Sequence, residues 1–280
     1  MITNKIKNKN GNYLYFLYPD GTKIRQFKKI YNPEYPETLD MKITNFCDSR
    51  CKWCHEKSSV RGKYCTWNLD ILDGLPEGVE IAIGGGNPLS HPKIFKIVDD
   101  INSKGLIPNI TVNTFHLIQE KYQKILNKLN YTSLGISFSK DFKKIPKRFI
   151  NENTVWHFIN GVHSLDDMRV VAKYNKGSKA LILGYKSFGR GVNFIPKYKY
   201  SLKELKKLNY KVIAFDNLAV DQFKIVDENY MGEDGNFSFY VDLVNKEFGK
   251  GSYDPIRYKM IKNIKNSFEQ IKILSTLSVF

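Results

Sequence analysis

Three of the four cysteines of this 280-residue chain lie within eight residues of one another. Cys47, Cys51 and Cys54 have the spacing C-x3-C-x2-C, and cysteines clustered in this way in a reducing compartment are typical of metal ligands. Closely spaced thiolates on one loop can hold an iron–sulfur cubane, and three ligands leave one iron without a protein donor. A catalytic site requires such an open position, because a further molecule must bind there. The spacing therefore predicts a catalytic 4Fe–4S cluster.

Other interpretations of these cysteines remain open at this point. A structural zinc ion could be held by the three cysteines together with His55, since C-x2-C spacings occur in zinc modules. Such modules usually serve small domains with little core, whereas 42% of this chain is hydrophobic. The cluster is therefore favoured over zinc. Cys65 is interpreted as a buried or idle thiol rather than as a remote fourth ligand.

A glycine-rich segment follows the second predicted strand, which covers residues 79–83. It consists of Gly84, Gly85 and Gly86 and is followed by Asn87. Residues without a side chain let the backbone approach a ligand closely. Three glycines alone more often form a plain turn, but a strand end that follows the cysteine loop favours a ligand-binding segment.

Together, the cysteine loop and the glycine segment resemble the radical S-adenosylmethionine superfamily. The loop matches the family's cysteine signature, including an aromatic residue, Trp53, before the third cysteine. The glycine segment is similar to the family's Gly-Gly-Glu-Pro motif, with Asn87 where Glu is usual. An Asn carbonyl can accept a hydrogen bond from an ammonium group but supplies no countercharge. This departure predicts weaker cofactor binding or compensation from elsewhere in the site.

The resemblance implies a specific cofactor chemistry. The three cysteines would hold a 4Fe–4S cluster whose open iron binds S-adenosylmethionine. In this family an electron from the cluster breaks a C–S bond of S-adenosylmethionine, and the 5′-deoxyadenosyl radical then abstracts hydrogen from the substrate. Trp53 is expected near the adenine, and the segment 84–87 near the methionine amino group. No cysteine follows Cys65, which implies a single cluster.

Weaker cofactor contacts and acid–base candidates are expected at the ends of later strands. The resemblance implies cofactor contacts at Asn113, Ser137, Ile159 and Gly161. Among the five histidines, His55 and His157 come nearest to predicted strand ends and to the cofactor, so they are the candidate catalytic acid–base groups.

Alternating strands and helices must position these residues. From residue 38, strand-like segments alternate with segments of helical periodicity, and six such units fit between residues 38 and 215. Strands separated by helices favour an α/β fold with parallel pairing and right-handed crossovers, but periodicity does not decide between an open sheet and a barrel. The resemblance favours a partial (βα)6 barrel of the radical SAM type, with the site at the C-terminal strand ends.

Two extensions flank the predicted barrel. Residues 1–37 are predicted to form an N-terminal β-hairpin, with a strand at residues 13–18 that returns over residues 23–30. Residues 216–280 are predicted to form a C-terminal α+β extension packed on the barrel, with a strand at residues 237–243. The barrel itself is assigned to the residues between these extensions.

The net charge of +16 indicates either an acidic partner or a compositional bias spread over the surface. An acidic flavodoxin or ferredoxin that supplies the electron is one such partner. The favoured substrate is a small molecule or nucleotide, followed by nucleic acid and then by a protein, as for glycyl-radical activases. The rival function is that of a zinc-stabilised, basic nucleic-acid-binding protein. Neither a membrane span nor a secretory signal is expected, which favours a cytoplasmic location without a membrane partner.

Overall fold

The computed structural model describes residues 5–19, 21–26, 31–225 and 234–277. The strands are β1 (Ile6–Asn10), β2 (Tyr13–Leu17), β3 (Lys23–Gln26), β4 (Thr38–Thr44), β5 (Glu80–Gly85), β6 (Ile107–Asn113), β7 (Ser133–Ser137), β8 (Thr154–Ile159), β9 (Lys179–Leu183), β10 (Val212–Phe215), β11 (Ser238–Asp242), β12 (Glu247–Gly249) and β13 (Tyr258–Lys259). The α-helices are α1 (Ile94–Ser103), α2 (Thr114–Leu117), α3 (Glu120–Leu126), α4 (Leu165–Tyr174), α5 (Leu202–Leu205), α6 (Asn217–Phe223) and α7 (Ile264–Leu277).

A ten-stranded sheet carries the predicted alternation of strands and helices. Its strand order is β10-β9-β8-β7-β6-β5-β4-β11-β12-β13. All pairs from β10 to β11 in this order are parallel, and β12 and β13 add antiparallel strands at one edge. The prediction of an α/β fold with parallel pairing is confirmed at this level.

Two local features of the region 38–215 differ from the prediction. The region contains a seventh strand, β10, which lies at the sheet edge; it is an apolar run, but with only four residues it is too short to be assigned to a strand by its pattern. The single helix predicted over residues 117–129 is divided into α2 and α3. Gln119 adopts an extended conformation between them and ends the helical run.

The N-terminal extension is a three-stranded sheet rather than a hairpin alone. The predicted hairpin is present, since β2 pairs antiparallel with β3. Residues 27–30 of the predicted return strand lie outside the described residues. The additional strand, β1, pairs antiparallel with β2. Because β1 consists mainly of Lys and Asn, its sequence carries no apolar alternation that indicates a strand.

The predicted C-terminal strand is present and joins the main sheet. It forms β11, which pairs parallel with β4 and sets Tyr240 opposite Asp40. Helix α7 packs behind this strand, with the ring of Phe268 5.6 Å from the ring of Phe239. The extension therefore continues the sheet instead of only covering it. Among the helices of the described residues, none combines the length and the apolar character that crossing a membrane requires.

The parallel strands divide their side chains between two faces. On β4, Leu39 and Met41 are buried in the apolar core, whereas Asp40 between them lines an internal cavity. On β8, Trp156 is fully buried in the core, and the next residue, His157, lines the same cavity. Successive strand residues point to opposite faces. As a result, polar side chains of these strands face the cavity while the apolar ones face the core.

Candidate active site

An internal cavity of about 550 Å³ extends to the C-terminal ends of the parallel strands. Pockets of about 300–1,000 Å³ are usual for small molecules and cofactors. The predicted site residues that line it are Cys47, Cys51, Trp53, Cys54, His55, Gly84, Gly85, Gly86, Asn113, Ser137, His157 and Ile159. Asn87 and Gly161 are not among the lining residues. The fold thus brings most of the predicted site together in one cavity.

The cysteine loop leaves β4 and presents free thiols to the cavity. The Oγ atom of Ser49 lies 3.2 Å from Cys47 Sγ and 3.4 Å from Cys51 Sγ. From β6, Asn113 Nδ2 lies 3.8 Å from Cys51 Sγ. Burial raises the pKa of Cys51, although the Ser49 hydroxyl opposes this effect. A bound cation would stabilise the thiolate form that ligation requires.

The separation of the cysteine sulfurs bears on the kind of metal group they could hold. In a tetrahedral zinc site with Zn–S bonds of about 2.3 Å, two sulfurs lie about 3.8 Å apart. Among the described residues, the group whose ligand atoms all lie within 4.8 Å of one another comprises Cys47, Asp48 and His116, and not the three cysteines. Ligands on separate irons of a cubane lie further apart than ligands of one ion. The three cysteines therefore fit a cluster better than a single zinc ion.

A hydrogen-bonded cluster of Asp48, His116 and Tyr122 supports the first part of the cysteine loop. Asp48 accepts a hydrogen bond from Tyr122 Oη at 3.1 Å, and its other carboxylate oxygen lies 2.9 Å from His116 Nε2. His116 is almost fully buried, and the same Nε2 atom lies 3.9 Å from Cys47 Sγ. Burial lowers the pKa of His116, although Asp48 opposes this. Sequence analysis did not identify Asp48 or Tyr122 as part of the site, and it considered His116 only as one of five histidines that could act as an acid or base.

The segment after β9 holds the second part of the cysteine loop. Arg190 donates from Nε to the carbonyl oxygen of Cys51 and from Nη1 to that of Ser58, each at 2.9 Å. Its backbone N–H donates to the carbonyl oxygen of Cys54, also at 2.9 Å. The preceding residue, Gly189, has a φ of 59°, and a Cβ there would overlap the loop backbone. Arg190 therefore fixes the loop through three hydrogen bonds that need no metal.

Replacing Arg190 with Gln is expected to loosen the cysteine loop. Hydrogen bonds with a charged partner contribute about 1.5–3 kcal/mol each, so amide hydrogen exchange in residues 47–59 should accelerate at least about tenfold. Hydrogen–deuterium exchange followed by mass spectrometry measures this change. Arg169→Gln is the matched control, because Arg169 is half-exposed and pairs with Asp166 on the surface of α4. Equal exchange in wild type and Arg190→Gln would contradict the assigned role.

Two of the three glycines in the glycine segment are required by close contact with the cysteine loop, and the third adjoins open space. Gly85 has a φ of 106°, and a Cβ there would overlap the carbonyl oxygen of Thr44. At Gly86 a Cβ would overlap the carbonyl oxygen of Phe46, so both positions serve the close contact with the cysteine loop. A Cβ at Gly84 would meet no atom within 4 Å. Gly84 alone thus leaves open space in the cavity.

Two predicted cofactor residues have structural contacts outside the cavity. Asn87 is fully buried, and its Oδ1 accepts a hydrogen bond from the backbone N–H of Leu89 at 3.2 Å. Gly161 has a φ of 76°, and its carbonyl oxygen accepts a hydrogen bond from the backbone N–H of Lys197 at 2.7 Å. Trp53, in contrast, lines the cavity, with its ring edge-on to that of Phe194 at 5.5 Å.

The two candidate acid–base histidines are both kept neutral. Burial, supported by the charge of Lys186, lowers the pKa of His157 to about 4. Burial also lowers the pKa of His55 well below its ordinary value, and Lys186 and Lys42 add to the effect. His55 Nε2 lies 3.5 Å from a carboxylate oxygen of Glu56, but Glu56 is already engaged by other groups. Both imidazoles are therefore neutral near neutral pH, and their lowered pKa makes them weak bases.

A buried charged network, which sequence analysis missed, borders the cavity beside His55. Lys42 Nζ lies 2.5 Å from Glu56 Oε2 and 3.0 Å from Asp242 Oδ2. Tyr240 donates from its hydroxyl to Glu56 Oε1 at 2.8 Å. Burial alone would lower the pKa of Lys42, but Glu56 and Asp242 together raise it. The network ties the residues after Cys54 to β4 and β11.

Comparisons with known proteins show the fold of the chain. No protein-family model and no curated protein sequence matches it. The solved structure of Streptococcus suis SuiB bound to S-adenosylmethionine superimposes with a TM-score of 0.66 at 12% identity, over 97% of this chain and 87% of that chain. SuiB bound to the precursor peptide SuiA matches with a TM-score of 0.56 at 15% identity, over 78% of this chain and 60% of that chain. At these identities the similarity establishes a shared fold.

Proposed function

We propose that this chain, which has the fold of SuiB, is a radical S-adenosylmethionine enzyme with a single 4Fe–4S cluster. The observation that carries the proposal is the position of three free cysteines on the loop after β4, where they face a cavity at the C-terminal ends of parallel strands. A SuiB structure of the same fold contains S-adenosylmethionine. We also propose that strands β4–β9 form the partial barrel, with the flanking residues as extensions.

The residues of the site would have distinct roles in binding the cluster and the cofactor. Cys47, Cys51 and Cys54 would hold the cluster, and Arg190 keeps their loop in place. When bound, the cluster and S-adenosylmethionine supply a one-electron cleavage of a C–S bond and hydrogen abstraction from the substrate. Gly84 leaves space for the cofactor. The polar groups that adjoin this space, and that would orient the cofactor, are those of Asn113 and Ser137 with the ring of Trp53 and the backbone of Ile159.

We also propose a substrate class and an electron donor. The volume of the cavity is in the range usual for small-molecule sites, which favours a small molecule or nucleotide, and a SuiB structure bound to a precursor peptide adds a peptide side chain to the candidates. Exposed cations on the cysteine loop, Arg50 and Lys52, support docking of an acidic flavodoxin or ferredoxin. The separation of the cysteine sulfurs speaks against the zinc-stabilised alternative.

Reductive cleavage of S-adenosylmethionine tests the proposed function directly. Protein reconstituted anaerobically with iron and sulfide is reduced with dithionite and supplied with S-adenosylmethionine, and the products are separated by liquid chromatography. We expect 5′-deoxyadenosine and methionine in equal amounts. If the protein is fully loaded with iron and reduced, yet forms no more 5′-deoxyadenosine than a protein-free mixture, the proposal is wrong.

A further inference from the structure

One carboxylate that lines the cavity has no role in holding the cysteine loop, the cofactor or the charged network of Lys42. Three acidic side chains line the cavity, namely those of Asp40, Glu56 and Asp216. Glu56 is paired with Lys42. Asp216 Oδ1 accepts hydrogen bonds from two backbone amides, each at 2.8 Å. Asp40, on β4, has no hydrogen-bond or ion-pair partner among the residues that the structure describes.

The described residues supply no counterion in contact with the Asp40 carboxylate. Although the side chain is exposed to the cavity, its reduced solvation within the fold raises the pKa of Asp40 to about 6, and the charge of Lys186 opposes this rise. Lys186 itself is held elsewhere, since its Nζ donates to Ser252 Oγ at 2.6 Å and lies 5.6 Å from the ring centroid of Tyr253. At neutral pH the Asp40 carboxylate is therefore mostly ionised. The side chain is exposed to the cavity and has no partner among the described residues, so an ammonium group that enters the cavity can pair with the carboxylate directly.

The adjoining wall has the shape and polarity to admit a ligand beside Asp40. The neighbouring strands contribute Ala82, Asn109, Ser133 and Gly135 to the cavity, which are small or polar side chains. The ladder sets Asp40 opposite Ala82, and Ala82 opposite Asn109, so little side-chain volume blocks this part of the cavity. The amide oxygen of Asn109 already accepts from Ser133 Oγ at 2.8 Å. The carboxylate is thus the strongest unfilled acceptor on this wall.

We propose that Asp40 binds a positively charged amino group of the substrate, an inference that rests on the proposed function. Lys42, the next cavity-facing residue of β4 towards the cysteine loop, is neutralised by Glu56 and Asp242, so it does not repel such a group strongly. The amine could belong to a free alkylamine or to a lysine side chain of a peptide. Both present the same ammonium group to the carboxylate.

Calorimetric titrations test this proposal without any radical chemistry. The probes are N-acetyl-Ala-Lys-Ala-amide, its norleucine analogue and 1-aminopentane, each added to protein with and without cluster and S-adenosylmethionine. We expect an ammonium probe to bind wild type, and Asp40→Asn to weaken it about 10-fold to 100-fold, while the norleucine peptide is unaffected. Stronger binding of the peptide identifies a peptide source, and stronger binding of aminopentane identifies a small amine.

Controls separate this proposal from changes in charge, folding or cofactor binding. Asp166→Asn removes an exposed carboxylate and is expected to leave the affinities of all probes unchanged. Equal ammonium affinity in wild type and Asp40→Asn overturns the proposal, as does equal affinity of wild type for the lysine and norleucine peptides. A loss of S-adenosylmethionine affinity in Asp40→Asn that matches the loss of ammonium affinity also overturns it, because Asp40 would then serve the cofactor. Failure of S-adenosylmethionine cleavage leaves these binding results interpretable.

Discussion

Single replacement of Cys47, Cys51 or Cys54 by Ala is expected to abolish stable iron loading and the formation of 5′-deoxyadenosine. A 4Fe–4S cluster brings about four irons per chain, and each variant should retain less than about one after desalting. The reason is that the cavity offers three thiolates on one loop, so two remaining thiolates cannot hold a cluster whose fourth iron already lacks a protein ligand. Iron analysis, visible absorption of the reconstituted protein and product chromatography measure the effect.

Cys65→Ala is the matched control for these three variants. Cys65 is buried in the hydrophobic core, and its Sγ lies 3.6 Å from His91 Nε2 outside the cavity. Burial raises the pKa of this thiol to about 11, so it stays protonated and is a poor ligand. Iron content and product formation should match those of wild type. Equal iron loss in Cys65→Ala and Cys51→Ala would show that the loop cysteines are not a distinct ligand set.

The parts of the site that lie close together along the chain could be predicted from sequence. The cysteine loop, the strands on either side of it and the glycine segment each carry a local pattern of spacing or periodicity. Asp40 and Lys42 also carried a signal, because they alternate with the apolar Leu39, Met41 and Ile43 within one strand. Polar residues at every second position of a strand face away from the core. That alternation indicates cavity-facing charges, although it does not reveal their partners.

Contacts between distant segments could not be predicted in this way. The hydrogen bond from Arg190 to Cys51 joins residues 139 positions apart, and that between Tyr240 and Glu56 joins residues 184 positions apart. A single sequence has no periodicity that relates such positions. The C-terminal strand was predicted because its own residues carry a local apolar pattern. Its pairing with β4 joins distant segments and could not be predicted. Strand β1 was missed for another reason, since pairing with β2 stabilises a segment with little intrinsic strand preference.

Lys42→Met is expected to lower the free energy of unfolding by about 3–5 kcal/mol, because it leaves Glu56 and Asp242 buried without their shared cation. Urea unfolding of the protein without iron measures this loss. The matched control is Lys124→Met, since Lys124 pairs with Glu120 on the solvent-exposed surface of α3, where an ion pair contributes little to stability. A loss in Lys42→Met no larger than in the control would show that the network does not stabilise the fold.

The energetic origin of the Lys42 effect can be separated from lost packing by adding Glu56→Gln and Asp242→Asn. If unpaired charge causes the loss, the triple variant should regain much of the stability that Lys42→Met lost, because no buried charge then remains. Glu56 lies two residues beyond Cys54, so Lys42→Met should also release this end of the cysteine loop and reduce iron loading. Because the triple variant still lacks the Lys42 ammonium that ties Glu56 to β4, it should recover stability more completely than iron loading. Equal recovery of both would mean that the network holds the loop through packing and hydrogen bonds rather than through charge.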